Sequence, residues 1–209
     1  METSMKQRRT NSPPVARLGL LAVVALAVGC SSATASPSGA PPAHSPAPAA
    51  SAPATAAPIF TSRQYGYTEA LPAGWTGAQA TQQWDGTGVP GGEDSVVDLF
   101  QGPGGVEAWG YAASTKENLA TYAQTTSRAA AAAHPCPAVP QTNQAITIGG
   151  VPARLLGMQC PPHSGFLVEL AVAIHHGTAF VFASQNPTGT TAGDRAAFRK
   201  FLAGIRLQR

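Results

Sequence analysis

The residues best equipped for chemistry in this chain stand in two short segments, His134-Pro-Cys136 and Cys160-Pro-Pro-His163. Read as H-x-C…C-x-x-H, they offer two thiolates and two imidazoles, a ligand set that suits tetrahedral zinc. Read as the only two cysteines of an exported domain, Cys136 and Cys160 pair as a disulfide, because oxidising compartments do not keep thiols free. The disulfide is our expectation. Metal binding by His134, Cys136, Cys160 and His163 is the alternative. Closing the loop from 136 to 160 would stabilise the fold by about 3 kcal/mol on a chain-entropy account.

A second group is acidic. The stretch WDGTGVPGGEDSVVD gathers Asp85, Glu93, Asp94 and Asp98 in a glycine-rich loop. Oxygen ligands of this kind suit calcium, and paired carboxylates can exchange protons. The spacing lacks the bidentate Glu of an EF-hand, so a solvated loop is expected. The glycine-rich turns also lack the strand-then-helix setting of a phosphate loop. His175 and His176 read as a hairpin-turn pair whose side chains point apart. Glu169 lies mid-strand among Ala171 and Ala173, where a charge needs a partner, and Arg154 on the neighbouring hairpin is the candidate. Trp75, Trp84 and Trp109 read as core, with a sugar or apolar pocket as the other use. No G-x-S-x-G elbow is present, so nothing marks a serine nucleophile. We expect no catalytic residue, cofactor or metal.

Cys30 differs from the other two cysteines in its setting. Leu18 to Val28 is an apolar run of 11 residues behind Lys6, Arg8, Arg9 and Arg17. A spanning helix needs roughly 20, so the run reads as a leader. Gly29-Cys30 closes it in the manner of a bacterial lipobox, with Ala27 where leucine is commoner. That resemblance implies cleavage after Gly29 and a diacylglycerol thioether on Cys30. An ordinary secretory cut near Ala33 or Ala35 is the alternative. Arg8-Arg9 lacks the apolar residues that would follow in a twin-arginine signal. Two acyl chains anchor stably where one binds only marginally.

These assignments divide the chain into a leader (1–29), a tether (30–58) and one domain (59–209). From 31 to 58, 24 of 28 residues are Ala, Pro or Ser, with no charge, and such a segment cannot offset its own conformational entropy. We expect it to be disordered, with His44 solvated. The net charge of +3 belongs to the leader. Its four basic residues less Glu2 supply all of it, leaving nine basic and nine acidic residues beyond. A mature protein so balanced has no electrostatic reason to seek nucleic acid.

Within the domain, YGYTEALPAGW reads as a strand stopped by Pro72 and Gly74. Three hairpins follow: 95–114 around Gly102-Pro103-Gly104-Gly105, 145–160 around Gly149-Gly150, and 165–184 around His176-Gly177. In the last, Phe166, Val168, Leu170, Val172 and Ile174 share one face, and Leu167, Glu169, Ala171, Ala173 and His175 the other. Ser114 and Glu117 have the spacing of a capping box, predicting a helix from Ser114 to about Ala133 that buries Leu119, Tyr122 and Ala123 and is stopped by Pro135. A closing helix from near Thr191 carries Phe198, Phe201, Leu202 and Ile205 on one stripe.

Strand, hairpin, helix, two hairpins and helix predict an α+β fold: an antiparallel sheet with two main helices packed on it. The LPAGW after an opening strand, the ITIGGVPAR hairpin, the long antiparallel pair and the final helix resemble the PsbP-like fold. More narrowly they are similar to actinobacterial lipoproteins of the LpqN type, over about residues 60–207. The resemblance implies a non-catalytic scaffold for docking or ligand binding, and it supplies no catalytic residue.

The expected function is a lipid-anchored accessory or interaction module on the extracytoplasmic face of the bacterial cell membrane. Its partner would be a protein or the cell wall. A second reading is a binding protein for a small apolar or glycan ligand, using the small-residue sheet face and a tryptophan. A third is a hydrolase, which requires two of Asp85, Glu93, Asp94 and Asp98 to converge in a cleft.

Overall fold

The computed structural model describes residues 57–133, 136, 139–160, 167–186 and 192–208. The leader, Cys30, most of the tether, His134 and His163 lie outside the described residues, as do Phe166 and Thr191.

Among the described residues, ten strands and two α-helices make up the domain. Seven strands form one antiparallel sheet, in the order β3 (Thr76–Ala78), β4 (Asp98–Gln101), β5 (Glu107–Ser114), β9 (Thr178–Asn186), β8 (Leu167–His175), β7 (Val151–Gln159) and β6 (Thr142–Ile148). The three hairpins are where the sequence puts them. Two turn on paired residues of positive φ, Gly149-Gly150 at 58° and 83° and His176-Gly177 at 48° and 75°. That is the two-residue geometry whose twist matches the flanking strands. His176 is the only described residue other than glycine held there.

The opening strand is not part of this sheet. β2 (Tyr67–Ala70) lies between β1 (Ile59–Thr61) and β10 (Ile205–Leu207) in a separate antiparallel sheet of three strands. β10 follows directly on helix α2 (Ala192–Gly204), so the apolar stripe stops one residue sooner than expected. Ile205, predicted as the last helical contact, is buried instead as a strand residue opposite Glu69. Gly204 permits this: a Cβ there would sit 2.4 Å from Glu69 Oε1 and 2.6 Å from the Ala70 carbonyl.

Register fixes what each face of the large sheet carries. Phe100, Ala108, Gly110, Phe182, Glu169, Ala171 and Leu155 share one face, which α2 and the small sheet cover. Phe201 ties these layers together, 4.8 Å from Phe100 and 5.2 Å from Trp75, centroid to centroid. Tyr111, Val181, Val172, Arg154 and Leu156 share the other face, against which helix α1 (Leu119–Ala133) packs. With layers on both sides, Leu167 to Ala173 of β8 are all buried, as a central strand covered on two faces must be.

α1 starts later than predicted. Ser114 is the last residue of β5, paired with Thr178, so the ladder takes the residue that the capping-box spacing assigned to the helix. Asn118 caps instead, its Oδ1 accepting from the Thr121 amide at 3.0 Å and the Thr121 hydroxyl at 3.2 Å. The buried stripe is Ala123, Thr126, Ser127, Ala130 and Ala131, with Leu119 and Tyr122 half-buried beside it.

Candidate functional site

Cys136, just beyond α1, and Cys160, just beyond β7, are joined by a disulfide. Both thiols are thereby used, which leaves the four-ligand zinc reading without its sulfur donors. No cluster of three or more His, Cys, Asp or Glu side chains able to hold a metal occurs among the described residues.

The disulfide anchors the end of α1 beside β6 and β7, and between these elements the helix does not close fully onto the sheet. A cavity of about 510 Å³ remains, lined on the helix by Ala120, Ala123, Gln124 and Ser127, and on the sheet by Asn143, Arg154 and Leu156. Val139, three-quarters exposed, stands at its edge. This is the size and largely apolar character of a small-molecule site. Arg154 is half-buried in it and has no ion-pair or hydrogen-bond partner among the described residues. A guanidinium so placed presents its donor fork to the cavity, and only an anion matches that charge.

The partner predicted for Arg154 lies on the wrong side of the sheet. Arg154 is in register with Val172 and Glu169 with Gly157, an odd offset along β8 that sends the two side chains to opposite faces. Glu169 lies instead under α2, near Arg195 and Arg199. Burial raises its pKa, and the two guanidiniums pull against that rise.

Of the four acidic residues of the 84–98 loop, Asp85 and Asp94 border one depression, and Glu93 and Asp98 lie apart from it. Asp98 is fully buried on β4, its Oδ1 accepting from the Ala80 amide at 2.8 Å. Asp85 Oδ1 accepts from the Thr87 amide at 2.8 Å and the Thr87 hydroxyl at 2.6 Å, bonds that hold its pKa below the ordinary value. Asp94 Oδ2 accepts from the Gly91 amide at 2.7 Å. Glu93 is exposed. Asp85 and Asp94 do line one open depression beside Trp84, but each carboxylate is committed to bracing its own turn. The arrangement favours a loop-shaping role over paired acid and base.

The tryptophans divide as well. Trp75 and Trp109 are buried, the first stacked on Phe201, the second donating from Nε1 to the Pro90 carbonyl at 3.2 Å. Trp84 is half-buried and lines two depressions. His175 and His176 do not point apart: the left-handed turn at His176 brings their rings to 4.0 Å, centroid to centroid.

Sequence reading did not single out Glu69. Both its carboxylate oxygens are buried with no hydrogen-bond partner among the described residues. Burial pushes the Glu69 pKa up to about 9, against a smaller pull from Arg206. Alternation gave the signal: Tyr65, Tyr67, Glu69 and Leu71 share one inward parity, and all are buried.

No protein-family model and no curated protein sequence matches the chain. Among solved structures, it is similar to cyanobacterial PsbP (CyanoP) from Synechocystis sp. PCC 6803. That match has a TM-score of 0.52 and 12% identity over 77% of this chain and 99% of that one. A structure from Bacteroides thetaiotaomicron VPI-5482 aligns with a TM-score of 0.46 and 13% identity over 74% of this chain and 50% of that one. The domain has a PsbP-like α+β fold. At such identity the likeness concerns fold alone.

Proposed function

We propose that this protein is a lipid-anchored extracytoplasmic binding module of the LpqN kind, without catalytic activity, whose ligand enters the cavity between α1 and β6–β7. The observation that carries the binding role is a half-buried Arg154, without a partner among the described residues, in an otherwise largely apolar cavity of about 510 Å³. A ligand with an apolar body and one carboxylate or phosphate satisfies both features, the body against Ala123 and Leu156, the anion on the guanidinium. The anchoring role is supported by the short apolar run ending at Gly29-Cys30 and by the uncharged Ala/Pro/Ser tract behind it. The small-residue sheet face, the alternative place for a ligand, is covered by α2 and the small sheet.

Titrating the full chain with dodecanoate and with dodecanol, followed by NMR, tests the site. The acid is expected to shift residues of α1, β6 and β7 and to bind at least about tenfold more tightly than the alcohol, as a charge-assisted hydrogen bond implies. Arg154→Gln should remove that preference. Equal binding of acid and alcohol, or shifts confined to other surfaces, would overturn the proposal.

A further inference from the structure

Across α1 from that cavity lies a second one, of about 220 Å³, whose walls have a different chemistry. The 84–89 loop supplies Trp84, β5 supplies Tyr111, and α1 supplies Tyr122. The Trp84 and Tyr111 rings meet nearly at right angles, 4.8 Å between centroids at 73°. Glu117 and Thr115 stand at the rim, and no lysine or arginine lines the cavity. Glu117 is exposed, and its carboxylate makes no hydrogen bond or ion pair among the described residues, because the cap it was predicted to complete is made by Asn118.

The aromatic wall is set before any ligand arrives. The Trp84 amide donates to Tyr65 Oη at 2.9 Å, and its indole Nε1 donates to the Thr87 carbonyl at 2.9 Å. Asp85 braces the same turn through Thr87. Gly86 and Gly88, at φ 89° and 69°, have no atom within 4 Å of where a side chain would begin, so the loop leaves the mouth clear. A preformed wall spends little ordering entropy on binding.

We propose that Trp84, Tyr122 and Glu117, with the buried Tyr111 behind Trp84, form a binding site for a small organic ammonium ion of the quaternary or methylated class. Aromatic rings carry negative charge on their faces and attract a cation within about 6 Å, and quaternary ammonium groups are recognised by cages of such rings. Glu117 adds a formal negative charge, and among the described residues that line the cavity none is basic. The field is felt locally: after burial, Glu117 is the next cause raising the Tyr122 pKa. A neutral ligand could donate a hydrogen bond to the carboxylate but would gain no charge attraction from it.

The test is titration of the full chain with choline chloride and with tetramethylammonium chloride at constant ionic strength, read by NMR at the Trp84 indole N–H. Comparison compounds are N-acetylglucosamine and the neutral choline analogue in which tert-butyl replaces trimethylammonium. Both ammonium ions are expected to bind in the millimolar range or tighter, and at least about fivefold better than the neutral analogue. Glu117→Gln, at an exposed position that leaves the core intact, should weaken them about threefold or more, and Trp84→Ala should abolish binding. Binding of the neutral analogue at equal strength, insensitivity to Glu117→Gln, or shifts from the sugar alone would overturn the assignment.

Discussion

Burial of Glu69 makes stability depend on pH. Its pKa of about 9 in the folded protein stands well above the ordinary 4.5, because an unpartnered buried carboxyl resists ionisation. The native state therefore holds this proton more tightly than the unfolded chain. The stability so gained is complete below about pH 4.5, declines as pH rises, and is gone above about 9. Between those limits each pH unit costs about 1.4 kcal/mol, so the loss by pH 7 is on the order of 3 kcal/mol. Glu69→Gln keeps the shape without the titration. The variant should match the parent in thermal melts at pH 5 and exceed it at pH 8. Parallel melting curves across that range would refute the assignment.

At the scale of elements, α1 decides where both cavities lie, and its first turn decides where α1 begins. Asn118→Ala removes an N-cap and should cost about 1 kcal/mol in denaturant unfolding, while Ser114→Ala should change stability far less. A larger loss at Ser114 than at Asn118 would mean that the capping box forms after all. Ser114 and Glu117 were legible as a cap in sequence because a cap depends on spacing alone. What displaced them is the pairing of Ser114 with Thr178, a partner 64 positions away that no local pattern reveals. The same cause hid β1, β3 and β10, each three residues long and defined only by the strand beside it. The Gly149-Gly150 and His176-Gly177 hairpins were legible for the opposite reason, since their turns and arms are neighbours in the chain.

At the scale of the whole molecule, the tether and the domain make separate predictions. Cys30→Ala should release the protein from the membrane fraction and abolish its labelling by radioactive palmitate, and retention of label on the variant would refute lipidation at Cys30. Among the described residues no helix is long and apolar enough to cross a membrane. Residues 31–58 carry no formal charge, so on this proposal attachment rests on the lipid.

The sequence by itself determined the α+β class, the three hairpins and the aromatic stripe of α2, and it favoured the pairing of Cys136 with Cys160, which the structure settles against a zinc site. These follow from periodicity, turn residues and a count of cysteines, all of which are local or compositional. Only the tertiary structure decided which charges meet. Arg154 and Glu169 are both compatible with one ion pair in sequence, and the register of β7 on β8 puts a sheet between them. It likewise sent Asp98 and Glu69 into the core and left Arg154 and Glu117 without partners among the described residues, beside open cavities. A side chain's face is set by register to within one residue, and a slip of one reverses it. That is why the site had to wait for the fold.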